Sequence, residues 1–356
     1  MTESVILGLI ALGQCAFFAL LVVLLFAKHA RTQATARREA AMAAHAAEPL
    51  RHWLIGTGSA IRVGTAFRRL PPEMAREQTI LVAARLAPSQ LTELTRVLRG
   101  ESWVVRTVAR ARSMFWWRRL EAARLLAVVA APRDRMTVRR LIADRHPAVQ
   151  AAATNCLTRL DDEGLIADVI ERMPERSPAV RLFQAEALRA VSRLAAPALL
   201  RRLRARGPAP RLEVWIQLAE AISDPQCLAA AAVLHRHPDA GVRAAVARAL
   251  RRFPHRDTAT ALAERIADPE WRVRAEAARS LGAVAGAEAV PLLVTALSDR
   301  AWGVRLRAAL ALAELGESGR QALDAVAARK DDTYARDMAI MVSALSDGTI
   351  AELGAA

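Results

Sequence analysis

Hydrophobic and polar positions divide the chain into three stretches. Residues 5–27 form a run of 23 without a charged side chain, 15 of them Leu, Ile, Val or Phe, with Gln14 the only strongly polar member. As a helix this run is about 35 Å long, enough to cross a hydrocarbon core of about 30 Å. Contributions of roughly −0.3 to −0.6 kcal/mol per apolar residue favour insertion by several kcal/mol. The preceding Met1, Thr2, Glu3 and Ser4 offer no positive side chain, and the run is too long for a signal-peptide core. A retained transmembrane helix over 5–27, behind a short extracytoplasmic tail over 1–4, is therefore expected. Residues 28–48 are Ala-rich with scattered charge and continue as a basic juxtamembrane helix or linker, expected to end before Pro49. Over 49–112 the breakers Gly56, Gly58, Gly64, Pro71, Pro72, Pro88 and Gly100 separate short amphipathic helices into an irregular N-terminal cap region. The Gly56-Thr57-Gly58 stretch lacks the context of a phosphate loop and reads as a turn.

From about residue 113 to the end the pattern becomes periodic. Arg119, Gln150, Arg181, Arg211, Arg243, Arg274, Arg305 and Arg336 mark a column with spacings of 31, 31, 30, 32, 31, 31 and 31. Seven residues after each marker stand Leu126, Leu157, Leu188, Leu218, Leu250, Leu281 and Leu312, then Ser343 in the last unit. Four residues after each stand Ala123, Thr154, Ala185, Trp215, Ala247, Ala278, Ala309 and Ile340. Offsets of four and seven lie on one helical face. Trp116, Pro147, Pro178, Pro208, Trp271 and Trp302, three residues before six of the markers, suit the first turn of a helix. A second apolar segment lies between markers, and Asp144, Asp268 and Asp299 follow such segments, where they can cap the next helix. Each unit is thus a pair of antiparallel helices that cannot bury both faces alone, so its neighbours must stack on it.

The units over 268–282 (Asp268, Pro269, Trp271, Val273, Arg274, Ala278, Leu281, Gly282) and 299–316 (Asp299, Trp302, Val304, Arg305, Ala309, Leu312, Gly316) resemble HEAT repeats. The likeness is to the short bacterial form shared with phycobilisome lyases, and it covers residues 113 to 345. It implies an all-α, right-handed α-solenoid of about eight helical hairpins over 113–356, preceded by the one transmembrane helix. In such arrays the marker arginine bonds to carboxylates or carbonyls of adjacent repeats. The fourth unit departs from the pattern, with Pro210 just before the marker, where Val149, Val180, Val242, Val273 and Val304 stand in other units, and Trp215 in the Ala column, so a kink or a binding feature is expected there.

Charge changes this picture in one respect. The total of +15 comes from 51 basic and 36 acidic residues in 356. Residues 28–125 contribute +11, the rest of the chain beyond them +5, and Glu3 −1. Lys28, Arg31, Arg37 and Arg38 follow the apolar run directly, which places the solenoid in the cytoplasm with the N-terminus outside, as in a single-pass protein of a bacterial inner membrane. The same four side chains are candidate contacts to anionic lipid. Cys15, Cys156 and Cys227 are odd in number and far apart, which gives no disulfide or metal framework.

Candidate chemistry is sparse. Arg193, Arg201, Arg202, Arg204, Arg206 and Arg211 occur with no acid between Glu186 and Glu213, and form a candidate site for an acidic partner or another anion. Arg243, Arg248, Arg251, Arg252 and Arg256 are a second basic group. Phe115, Trp116 and Trp117 beside Arg118 offer a stacking surface. Trp116 occupies a repeat column and is expected in packing, which leaves Trp117 as the surface candidate. His235 and His237 lack further ligands at metal spacing. No nucleophile stands in a catalytic context, so no catalytic, cofactor or metal residue is assigned and the chain reads as a non-enzyme.

These features describe a membrane-anchored cytoplasmic scaffold that binds protein partners. A membrane enzyme or transport assembly, such as a cell-envelope polysaccharide glycosyltransferase, is the partner class expected. Two alternatives follow from the resemblance and the charge: a phycobilin-lyase-like chromophore lyase or isomerase, and a basic HEAT-like nucleic-acid-binding protein. Anchoring makes nucleic acid the poorer ligand.

Overall fold

The computed structural model describes the backbone of residues 2–355 and the side chains of residues 21–29, 32–34, 40–255 and 257–354. The chain is 80% helical with no strand among the described residues. It divides into two compact units, residues 1–129 and 130–356.

The first unit holds α1 (Thr2–Leu54), α2 (Ala60–Arg68), α3 (Pro72–Ala83), α4 (Pro88–Leu98), α5 (Ser102–Ala109) and α6 (Trp116–Val129). Helix α1 does not stop before Pro49 but runs through it to Leu54. An interior proline costs about 3 kcal/mol. Burial of Ala46 and Trp53 in the unit's core holds the last turn in place, and the Trp53 indole N–H donates to Glu93 at 3.3 Å. That core gathers Val63, Phe67, Leu94, Leu98, Trp103 and Leu125 from the following helices. Between α1 and α2 the chain turns through Gly56, whose φ of +80° favours glycine.

The second unit holds sixteen α-helices among the described residues. It begins with α7 (Arg135–Ile142), α8 (Pro147–Thr154), α9 (Leu157–Leu160), α10 (Glu163–Arg172), α11 (Pro178–Ala190), α12 (Ser192–Ala205), α13 (Ala209–Ile222) and α14 (Pro225–Ala232). It continues with α15 (Ala240–Leu250), α16 (Arg256–Arg265), α17 (Trp271–Ala285), α18 (Val290–Ala296), α19 (Trp302–Glu314), α20 (Glu317–Ala327), α21 (Thr333–Ser343) and α22 (Asp347–Ala355). The marker residues lie on α8, α11, α13, α15, α17, α19 and α21, and each of these helices packs on the next. Between them α7, α10, α12 and α14 stack in turn, and α18 packs on α20. Two layers of helices result.

The repeat columns explain the stacking. Leu157, Leu188, Leu218, Leu250, Leu281 and Leu312 are fully buried, as are Val149, Val180, Val242, Val273 and Val304. At the four-residue offset Thr154, Ala247, Ala278 and Ala309 are buried too, and a Cβ at Gly282 would stand 3.1 Å from Ala311, so α17 and α19 approach closely. Ile340 is exposed in the last unit, where the column ends. Pro147 and Pro178 open their helices at the first turn, and Trp271 and Trp302 do likewise. In the fourth unit α13 is unbroken, with Pro210 in its first turn. Trp215 is buried, and its indole N–H donates to the Ile170 carbonyl at 3.0 Å. The departure there is a packing substitution: a large ring fills space that alanine leaves to a neighbour elsewhere.

One described stretch, Trp271–Ala296, is long and apolar enough to span a membrane. It comprises α17, a 3₁₀ turn and α18 inside the repeat core, with Arg274 and Arg279 buried on it. It is a core segment.

Candidate functional site

Most marker residues are absorbed by the fold. Arg243 clasps Asp268 of the next unit with two bonds of 2.8 Å, and also donates to the His237 and Pro238 carbonyls at 3.0 and 2.8 Å. Arg274 repeats this with Asp299 at 2.6 and 2.9 Å and with the Asp268 and Pro269 carbonyls at 2.9 and 3.1 Å. Arg305 donates to the Asp299 and Arg300 carbonyls at 2.8 and 3.2 Å and lies over the Tyr334 ring. Arg119 and Gln150 likewise bond to carbonyls of their own preceding turns. Arg336 pairs with its neighbour Asp337 at 3.1 Å. Bidentate guanidinium–carboxylate pairs fix both partners in orientation. Burial alone would raise the Asp268 carboxyl, but Arg243, the Glu270 amide and Arg265 outweigh it and hold it below the usual carboxylate range. Asp299 is held low in the same way by Arg274 and the Ala301 amide. Asp144, Asp268 and Asp299 each accept from the amide two residues on, which shapes the turn before the next helix.

The ladder lapses in the middle of the unit. Twenty-five residues after Arg243 and Arg274 stand Asp268 and Asp299, but Arg206 takes that place after Arg181, and Arg236 after Arg211. Arg206 also ends α12 with a positive φ of +51°, an uncommon conformation for a side-chain-bearing residue. Arg211 turns instead to Glu171 and Glu175 at 2.8 and 3.1 Å, and Arg202 pairs with Glu171 at 2.8 Å. Both are thereby neutralised.

The remaining four arginines of the predicted cluster stay together and make no ion pair among the described residues. Arg193, Arg201 and Arg204 project from one face of α12 into a groove of about 700 Å³, opposite Ile222, Ser223, Asp224, Pro225 and Gln226 at the start of α14. Spacings of eight and three residues, with Pro197 and Leu200 between, place them along one face. The opposite face of α12 is anchored by Ala195, Leu199 and Leu203, all buried. Ser223 takes a left-handed conformation, and Asp224 then caps α14 by accepting from the Cys227 amide at 3.0 Å. Arg204 and Gln226 also line an adjoining groove of about 430 Å³ that reaches Arg206 and Val233. The two grooves form one cationic track whose single acid, Asp224, is engaged in capping. Its walls come from two helices, so the sequence showed the arginines but not Ser192, Pro197 or Gln226.

The other candidates fall elsewhere. Trp117 is 48% exposed and Trp116 40%, so the column position does not bury Trp116. Trp117 stacks on Phe115 at 4.6 Å and meets Trp116 edge-on at 6.3 Å, while Arg118 covers Phe115. These rings face each other first. Lys28 is exposed, whereas the side chains of Arg31, Arg37 and Arg38 lie outside the described residues, as do those of Cys15 and Arg256. His235 binds the Ala232 carbonyl at 2.9 Å and His237 accepts from the Asp239 amide at 3.1 Å. Burial pushes the Cys156 thiol up, and burial with Asp224 pushes Cys227 up to about 12, which leaves both protonated and unreactive.

Comparison with known proteins agrees with the repeat. Residues 259–344 match the HEAT-repeat family. No curated protein sequence matches the chain. Among solved structures, an engineered protein shares 17% identity over 80% of this chain and 88% of its own, with a TM-score of 0.35. YibA from Escherichia coli shares 15% identity over 76% of this chain and 97% of its own, with a TM-score of 0.39. Repeats of the HEAT type generally mediate protein–protein interaction.

Proposed function

We propose that the chain is a membrane-anchored scaffold whose HEAT-type repeats recruit a protein partner through an acidic segment laid along the α12–α14 groove. The observation that carries this reading is the contrast within one residue type: the marker arginines on α15, α17 and α19 are bonded into the repeats, while Arg193, Arg201, Arg204 and Arg206 line an open track unpaired. Guanidinium groups offer planar, bidentate recognition of carboxylates.

The membrane part of the reading is supported by α1. Leu21 to Phe26 are six consecutive apolar side chains, 38–72% exposed, and six successive residues go more than once round a helix. Such a surface costs about 25 cal/mol per Å² in water, and a bilayer removes that cost. Lys28 and the following arginines orient the repeats toward the cytoplasm of a bacterial cell by the positive-inside rule. Tethering raises the effective concentration of the groove near membrane-embedded partners, and an enzyme or transport assembly of that membrane is the class it suits.

Membranes carrying the full chain should retain it through alkaline carbonate extraction. Purification in mild detergent should recover a stoichiometric protein partner. Release by carbonate would remove the anchor from this account, and recovery of no stoichiometric partner would remove the scaffold.

A further inference from the structure

The alternation of layers places α22 where the next intervening helix belongs, after the marker helix α21. It packs instead on the marker helix α19. Its C-terminal end points at two arginines: the Leu353 carbonyl accepts from Arg307 of α19 at 2.8 Å, and the Gly354 carbonyl accepts from Arg279 of α17. The negative end of a helix dipole faces these cations. A Cβ at Gly354 would overlap the Glu314 carboxylate, so the helix end is seated closely. Apart from Gly354, no described residue of α22 is fully buried, and Asp347 reaches Arg320 only at 3.9 Å. Few contacts hold the helix there.

Arg279 is the unusual member of this site. It is 8% exposed, and its Nε has no hydrogen-bond partner among the described residues. Burial, with Arg251 and Arg307 beside it, lowers its pKa, while Glu276 and Glu220 act in the opposite sense. Two neutral carbonyls therefore cover a buried guanidinium and its half-buried neighbour, and the Arg279 Nε is left over among the described residues. A carboxylate would accept from Nε and a terminal nitrogen of Arg279 together, in the two-pronged arrangement that carbonyls presented singly cannot provide.

We infer that Arg279 and Arg307 form a carboxylate-binding site for an acidic side chain of a protein partner, and that α22 is a displaceable plug which occupies it in the free chain. The site lies on α17 and α19, apart from the α12–α14 groove, and stands whether or not that groove binds anything. A plug that keeps the competent state minor lowers apparent affinity by the competent fraction.

The test uses the full chain in mild detergent and a fluorescein-labelled, Ala-rich helical peptide ending in two glutamates. Gly354→Leu removes the seat of α22 without altering either arginine, and should bind this peptide about tenfold more tightly than the unaltered chain. Adding Arg279→Gln and Arg307→Gln should abolish that gain. Equal binding by Gly354→Leu and the unaltered chain would overturn the inference, as would a gain that survives both glutamines. A measurement on the unaltered chain guards against misfolding of the variant: saturating peptide should speed amide exchange in α22 about tenfold while α19 stays protected. Unchanged exchange in α22 in the presence of bound peptide would equally overturn it.

Discussion

Two parts of the second unit use arginine in opposite ways. On α15 and α17, Arg243 and Arg274 are nearly buried and each spans two units, with a carboxylate of one and carbonyls of the other. On α12, Arg193, Arg201 and Arg204 stand on one face of a single helix, and the one acid across the groove, Asp224, caps α14. Part of the difference lies 25 residues after the markers, where Asp268 and Asp299 follow Arg243 and Arg274 but Arg206 follows Arg181. Where the acid is present, arginine becomes part of the fold. Where it is missing, Trp215 packs in the alanine position and the positive charge of the groove makes no ion pair among the described residues.

This comparison can be strained at several points. The largest effect is expected at Trp215. Replacing it with alanine should cost about 3–5 kcal/mol in urea unfolding, since the cavity and the lost bond to Ile170 fall where no arginine ladder compensates. Arg274→Ala comes next, at about 3 kcal/mol by the same measurement, because it leaves Asp299 short of its partner in a largely buried setting. Acid should separate the regions further. Asp268 and Asp299 have carboxyl groups lower in the folded chain than in the unfolded one, so their stabilisation is complete above the ordinary carboxylate value near pH 4 and is lost as pH falls through their lowered values. Melting temperature measured below pH 4 should therefore fall less steeply in an Asp268→Asn/Asp299→Asn variant, whose starting stability is lower. Arg211→Ala should cost under about 1 kcal/mol, because its pairs with Glu171 and Glu175 are about a third or more exposed. Equal losses for Arg274→Ala and Arg211→Ala would erase the distinction.

Much of this was legible along the chain. The period of 31, the buried valine and leucine columns, and the proline and tryptophan helix starts are local patterns repeated until they dominate. That the marker arginines bond to neighbouring repeats was expected from the resemblance to HEAT repeats. What escaped was settled between elements. Pro49 sits inside α1 because Trp53 is held from outside the helix. Trp116 stays at the surface, as Trp271 and Trp302 of its column do, and meets Trp117 edge-on there. Arg201 and Arg202 are adjacent in sequence, but helical geometry sends one into the groove and the other to Glu171. The site under α22 had no sequence signal at all, since Arg279 and Arg307 are 28 residues apart and their cover comes from a helix that leaves the repeat pattern.

The smallest effect on stability and the largest on function are expected together, at the groove. Arg193→Gln/Arg201→Gln/Arg204→Gln should change unfolding stability by no more than about 0.5 kcal/mol per site, as for exposed substitutions generally. Co-purification of this variant from detergent-solubilised membranes, beside the unaltered chain and Arg211→Gln, tests the central claim most directly. The unaltered chain and Arg211→Gln should retain a stoichiometric protein partner that the triple variant loses. Retention of the same partner by a folded triple variant would contradict the account.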